Sequence, residues 1–210
     1  MTEPEATAAT TPASPLLGQS LGQLPSPPLN RLLGRPPRKP TLRFMLSHPA
    51  HVIALGFGSG LSPVAPGTVG TLWAWLSFLV LQPRLSAVQW ALVLGLGLVV
   101  GIWASTVTAQ HLAVSDPGAI VWDEIIAFWA VLWLVTPAGF WAQLVAFALF
   151  RFFDAAKPGP VAWADALFKV KRGEAIGWRQ GFGIVFDDLV AALCALMVIA
   201  IWKSSMWQWL

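Results

Sequence analysis

Charge is what this chain has least of. Of its 210 residues only 11% are charged, with thirteen Lys and Arg against ten Asp and Glu. A soluble domain of this size carries about a quarter charged residues. With 56% of the chain apolar, the deficit excludes an ordinary water-facing surface and points to a bilayer as the surrounding medium. The net charge of +3 is too small and too clustered for a nucleic-acid partner. Cys194 is the single cysteine. That excludes an internal disulfide and a cysteine-based metal site, and its apolar setting reads as packing rather than as a nucleophile. Tyrosine is absent, so the thirteen tryptophans must supply the amphipathic rings that favour membrane interfaces, as well as core side chains. No basic start followed by an apolar run opens the chain, so a signal peptide is not expected. Nothing in the composition specifies an oligomer.

What is present falls into two parts. Residues 1–43 are rich in Pro, Ser, Thr and Ala without periodicity and end in Arg35, Arg38, Lys39 and Arg43. They read as a disordered basic tail. Residues 44–210 read as a membrane-embedded domain. Its apolar stretches cover residues 68–82, 87–105, 120–135, 138–153 and 184–202, with Thr68 a candidate cap for the first. Some are shorter than the roughly 20 residues a bilayer core requires. The expectation is a small all-α polytopic bundle of four or five membrane helices.

If consecutive spans alternate in direction, one side collects the loop 56–70, Asp116, Asp123, Glu124, Arg151, Asp154, Lys157, Asp187 and Asp188. The other side holds only Arg84, the turn at Pro137 and Lys203. The basic clusters also fall on the first side, which the positive-inside rule makes cytoplasmic.

The acids are the informative residues. Asp123 and Glu124 sit in an apolar stretch, and Asp187 and Asp188 stand where another opens. An Asp at mid-helix costs about 2.5 to 3.5 kcal/mol to insert and is retained for function. Two adjacent acidic pairs relieve their repulsion by binding a hard cation. Magnesium suits them, since it takes few carboxylates together with water and phosphate oxygens. As residues opening their helix, Asp187 and Asp188 are also expected to gain from its dipole. Arg151 and Asp154 are three apart and share a helical face. Lys157 follows, before the helix-ending Pro158, and with Arg151 is placed to hold a phosphate.

The loop Gly56-Phe-Gly-Ser-Gly-Leu-Ser-Pro-Val-Ala-Pro-Gly-Thr-Val-Gly70 lacks both the strand–helix setting of a dinucleotide fingerprint and a Walker lysine. Its glycines let backbone N–H groups approach an anion. Gly58, Ser59, Gly60, Ser62, Pro66, Gly67 and Thr68 are the candidate substrate-binding residues. A second cluster, Gly181-Phe-Gly-Ile, precedes Asp187 and suits close backbone packing at the site. His48, His51 and His111 read as interface residues, and no Ser–His–Asp spacing is present.

Taken together, the 56–70 loop, Ile120-Val-Trp-Asp-Glu-Ile-Ile, Phe150-Arg-Phe-Phe-Asp-Ala-Ala-Lys-Pro-Gly-Pro and Gly181-Phe-Gly-Ile-Val-Phe-Asp-Asp resemble the motifs of the phosphatidylglycerophosphatase A family. The four occur in order across residues 44–202. The resemblance implies an all-helical, bacterial inner-membrane enzyme that hydrolyses phosphatidylglycerol phosphate to phosphatidylglycerol and phosphate with Mg²⁺. This chain departs from the family pattern in having Ala127 and Ala192 where Gly is frequent. Ser115 and Pro117 stand where members carry His, Gly159 stands in place of Trp, and the segment 168–180 is longer. No departure removes a candidate carboxylate.

The expected chemistry has Asp123, Glu124, Asp187 and Asp188, with Asp154, holding one or two Mg²⁺ ions that serve either an attacking water or an aspartyl nucleophile. Arg151 and Lys157 stabilise charge on the phosphoryl group. A small membrane transporter or channel is the rival reading, because intramembrane carboxylates also line ion paths. It predicts charges near mid-membrane and an internal repeat; the charges instead gather on one side.

Overall fold

The computed structural model describes residues 40–168 and 176–207, and these are α-helical with no strand among them. The short helices α1 (Leu42–Leu46) and α2 (Pro49–Ala54) lead into a 3-10 segment, Gly56–Leu61. Then come α3 (Pro66–Leu81), α4 (Ala87–Leu112), α5 (Trp122–Val135), α6 (Phe140–Ala156), α7 (Pro160–Leu167) and α8 (Trp178–Trp207). Each of the five apolar stretches is a helix. The tail expected over residues 1–43 lies outside the described residues as far as residue 39. Its last residues are helical instead, because the Thr41 side chain accepts the Phe44 N–H and caps α1. Lys169, Lys171, Arg172 and Glu174 of the longer segment lie outside the described residues.

Helix starts follow local chemistry. At α4, Ser86 and Gln89 form a reciprocal capping box, which satisfies two otherwise free N–H groups. α3 begins at Pro66 with no side-chain cap, and Pro at the first helical position has no N–H to lose. Thr68 therefore lies within the first turn rather than capping it.

The short helix α5 is the centre of the bundle and packs against α3, α4, α6 and α8. It is apolar almost all round, as a helix enclosed on every side must be. Its buried Trp122 and Trp129 donate their indole N–H groups to the carbonyls of Gly97 and Ala74, each at 2.9 Å. Gly97 and Gly101 make room: a Cβ on them would lie 2.4 Å from Ile126 and 2.6 Å from Trp122. This small-xxx-small spacing lets helices approach closely where lipid removes the hydrophobic drive between them.

Outward faces are apolar too. Val88, Leu92, Leu96, Val99 and Trp103 of α4 are exposed, as are Leu193, Met197 and Ile201 of α8. α4 and the 27-residue stretch Trp178–Ser204 are long and apolar enough to cross a membrane; α3, α5 and α6 have 16, 14 and 17 residues. An exposed apolar stripe on long helices fits membrane association.

α8 corrects one expectation. It begins at Trp178, so Asp187 and Asp188 lie well inside a helix rather than opening it, and its terminal N–H groups do not face them. Helix continues through Gly181 and Gly183 because tight packing holds them. A Cβ at Gly181 would fall 2.0 Å from Thr106 Oγ1 of α4, and one at Gly183 would fall 2.4 Å from Phe168. Only glycine permits those approaches.

Candidate active site

Helix polarity brings the charged residues to one end of the bundle. The first turn of α5 supplies Asp123 and Glu124, and the last two turns of α6 supply Arg151 and Asp154. Lys157 is the C-cap of α6, in the left-handed region at φ 43°. α7 adds Asp165 and α8 adds Asp187 and Asp188. Around a cavity of about 240 Å³ stand Asp123, Glu124, Asp154, Lys157, Asp187 and Asp188. Asp123, Asp154, Asp187 and Asp188 are buried.

Two cations divide these acids. Arg151 donates to Glu124 Oε1 at 3.2 Å and to the Asp154 carboxylate, with Thr71 Oγ1 at 3.4 Å. Lys157 donates to Asp165 Oδ1 at 2.7 Å and to the Asp187 carboxylate. Burial alone would lower the Lys157 ammonium, but its hydrogen bonds to Asp165 and Asp187 outweigh that and hold it above its ordinary value. Asp123 Oδ1 accepts the Glu124 N–H at 3.0 Å. Glu124 Oε2 and Asp188 Oδ2 are buried without a hydrogen-bond partner. An orphaned buried carboxylate oxygen is costly, so each calls for a ligand.

The donor set fits magnesium in a particular way. These donors are all hard oxygens. As the side chains stand, no group of three or more His, Cys, Asp or Glu among the described residues is gathered to hold an ion. Magnesium does not need such a cage: one or two carboxylates suffice when water and phosphate oxygens complete its shell.

The glycine loop meets the site at one point. A Cβ at Gly67 would lie 1.9 Å from Glu124 Oε1 and 3.1 Å from an Arg151 guanidinium nitrogen, so the first turn of α3 touches these residues directly. Thr71 donates to the Gly67 carbonyl at 2.8 Å. Pro66 and Thr68 flank Gly67 in that turn. Gly58, Ser59, Gly60 and Ser62 are spent on the loop's own shape. Ser59 donates to the Gly56 carbonyl at 2.8 Å, and Ser62 to that of Val64 at 2.7 Å. A Cβ at Gly60 would strike the Ala119 carbonyl at 2.1 Å. None of the seven loop candidates lines the cavity, nor does Arg151, which reaches it through Glu124 and Asp154.

Asp116, which alternation of the spans places on this side, lines the cavity, and so do Asp165, Ser115 and Gln180, which were not among the sequence candidates. Gln180 is buried and donates to the Ser115 carbonyl at 2.6 Å, tying α8 to the turn before α5. A lone acid on the otherwise apolar α7 was the available signal for Asp165. The histidines form a separate cluster: His51 Nε2 lies 2.8 Å from His111 Nδ1, and His51 Nδ1 donates to the Phe44 carbonyl at 2.9 Å. Burial holds the His51 imidazole below its ordinary value, against the raising effect of that carbonyl.

With this geometry in place, comparison with known proteins is decisive. The sequence profile of the family described as Phosphatidylglycerophosphatase A matches residues 52–203, which includes every acid of the cavity. The chain belongs to the phosphatidylglycerophosphatase A family. It is 37% identical over 158 residues to Phosphatidylglycerophosphatase A of Escherichia coli (strain K12), covering 75% of this chain and 85% of that protein. It is 35% identical over 160 residues to Phosphatidylglycerophosphatase A of Haemophilus influenzae (strain Rd), covering 76% and 92%. A Bacteroides thetaiotaomicron relative, provisionally named a phosphatidylinositol-3-phosphatase, is 35% identical over 158 residues, covering 71% and 91%. No solved structure matches the chain. Membership makes it a phosphatase and disfavours the transporter reading, as does the collection of its carboxylates at one end of the bundle. Ala127 and Ala192 are both buried in the main core, where a methyl group fits the helix packing.

Proposed function

We propose that this enzyme hydrolyses phosphatidylglycerol phosphate to phosphatidylglycerol and phosphate, with Mg²⁺, at the cytoplasmic face of a bacterial inner membrane. The observation that carries the reading is the pair of orphaned oxygens, Glu124 Oε2 and Asp188 Oδ2, beside a cavity flanked by Arg151 and Lys157. Carboxylate oxygens that lack donors, set near cations, suit a ligand bearing both a metal ion and a phosphate.

Asp123, Glu124, Asp187 and Asp188, with Asp154, are the residues that would hold magnesium. When bound, magnesium neutralises phosphate oxygens and acidifies a coordinated water. Arg151 and Lys157 contribute positive charge at the phosphoryl oxygens, where preorganised donors act most strongly in a site shielded from water. Acidic partners hold both cations before substrate arrives, so little reorganisation is needed. The diacyl chains stay in the bilayer and the headgroup enters at the polar end of the bundle. The small cavity suits a phosphorylated headgroup and excludes the lipid's bulk.

The test is phosphate release from phosphatidylglycerol phosphate by the detergent-purified full chain, with Mg²⁺ and then with EDTA. Phosphatidylinositol 3-phosphate serves as the comparison lipid. Release that needs Mg²⁺ and favours the glycerol lipid is expected. Release unaffected by EDTA would overturn the metal assignment, and preference for the inositol lipid would overturn the substrate.

A further inference from the structure

Asp165 stands outside the acids that the sequence marks, yet it closes one side of the cavity. Its helix, α7, follows Lys157 and Gly159, both at positive φ (43° and 38°), with Pro160 at the helix start. This stiff connection turns the chain so that Asp165, eight residues on, meets Lys157. α7 buries Val161 and Ala164 and exposes Trp163 and Leu167, while Asp165 faces the cavity.

The two cations of the site are held by different means. Arg151 has a planar fork, an acid three residues along on its own helix and a second on α5, so local helix geometry orients it. Lys157 has a flexible stem and caps the end of its helix. An ammonium has three donors and no shape of its own. Two of its donors go to Asp165 Oδ1 at 2.7 Å and to Asp187, which leaves one for a ligand in the cavity that Lys157 lines. Asp187 is also a candidate for the metal, so Asp165 is the partner that can keep the ammonium in place when Asp187 turns to an ion.

We propose that Asp165 is a positioning residue, clamping the Lys157 ammonium so that its remaining N–H meets a phosphoryl oxygen. This rests on the reading of the cavity as a phosphate site. It predicts that α7 is part of the enzyme's machinery and not only a connection between α6 and α8.

A double-mutant cycle tests it, using full-length protein in detergent with Mg²⁺ and phosphatidylglycerol phosphate. Asp165→Ala is expected to lower kcat/KM about tenfold or more, the scale of a supporting residue. Asp165→Asn, which keeps the acceptor oxygen, is expected to recover much of the loss. In a Lys157→Ala background, Asp165→Ala should cost nothing further. A wild-type kcat/KM in Asp165→Ala, or a loss fully additive with Lys157→Ala, would overturn the proposal. Binding of inorganic phosphate to the same four proteins, followed by calorimetry, reads the clamp without turnover: Asp165→Ala must weaken it only where Lys157 is present. If wild-type protein released no phosphate from any lipid, the substrate reading would fall, while the phosphate-binding cycle would still support or refute the clamp.

Discussion

The two ends of this bundle are built from the same helices and bury different kinds of polar group. At the end where α6 begins, Gln143 uses its whole amide. Its oxygen accepts the Trp75 indole N–H at 2.6 Å and its nitrogen donates to the Ala138 carbonyl at 2.9 Å. At the end where α6 finishes, buried carboxylates crowd together and two of their oxygens have no partner. The first end holds neutral polar groups, and two of them, Gln82 Oε1 and Trp90 Nε1, are also buried without a partner. The other keeps unmet bonding capacity that a ligand must fill. The contrast is one of charge: an unpaired neutral dipole costs little enough to be tolerated in an apolar bundle, whereas unpaired buried carboxylates call for a cation or a donor.

Substitutions should separate the ends. The largest effect is expected from Asp188→Asn and Asp123→Asn: phosphate release should fall by roughly 100-fold or more. Thermal unfolding should be unchanged or raised, since each removes a buried charge from a repulsive group. Full activity in both, measured on protein that unfolds normally, would erase the functional difference between the ends. Gly67→Ala comes next. Its methyl group collides with Glu124 and Arg151, so activity should drop about tenfold, with an overpacking cost of about 1–3 kcal/mol visible in denaturant unfolding. The smallest effect on turnover belongs to the opposite end. Gln143→Ala leaves a largely buried indole N–H unpaired and should destabilise by about 1–3 kcal/mol, while kcat and KM stay at wild-type values. A kinetic defect there would show that the ends are coupled.

Within the charged end, some residues were legible in the sequence and others were not. Arg151 and Asp154 could be joined from sequence because three residues on a helix fix a shared face, and the structure pairs them directly. Asp123 and Glu124 stood out as charges in apolar surroundings. Asp165, a lone acid on an apolar helix, gave a weaker form of that signal, but its pairing with Lys157 crosses a turn with two positive-φ residues that no helical periodicity describes. The glycine loop was legible as a place of close approach, yet not in its details. Gly67 touches the acids, whereas Ser59 and Ser62 bond within the loop, since whether a hydroxyl turns inward or back on its own chain depends on backbone angles.

By itself the sequence determined the helical class, the order of the apolar helices and the gathering of charge at one end, because hydrophobic runs and alternation of direction are properties of a chain in one dimension. The tertiary structure decided which carboxylate meets which cation. It carried α8 past its glycines to place Asp187 and Asp188 inside a helix, and it drew α7 into the site. Those outcomes depend on side chains remote in sequence filling one small volume, where sub-ångström differences in backbone approach select the partners.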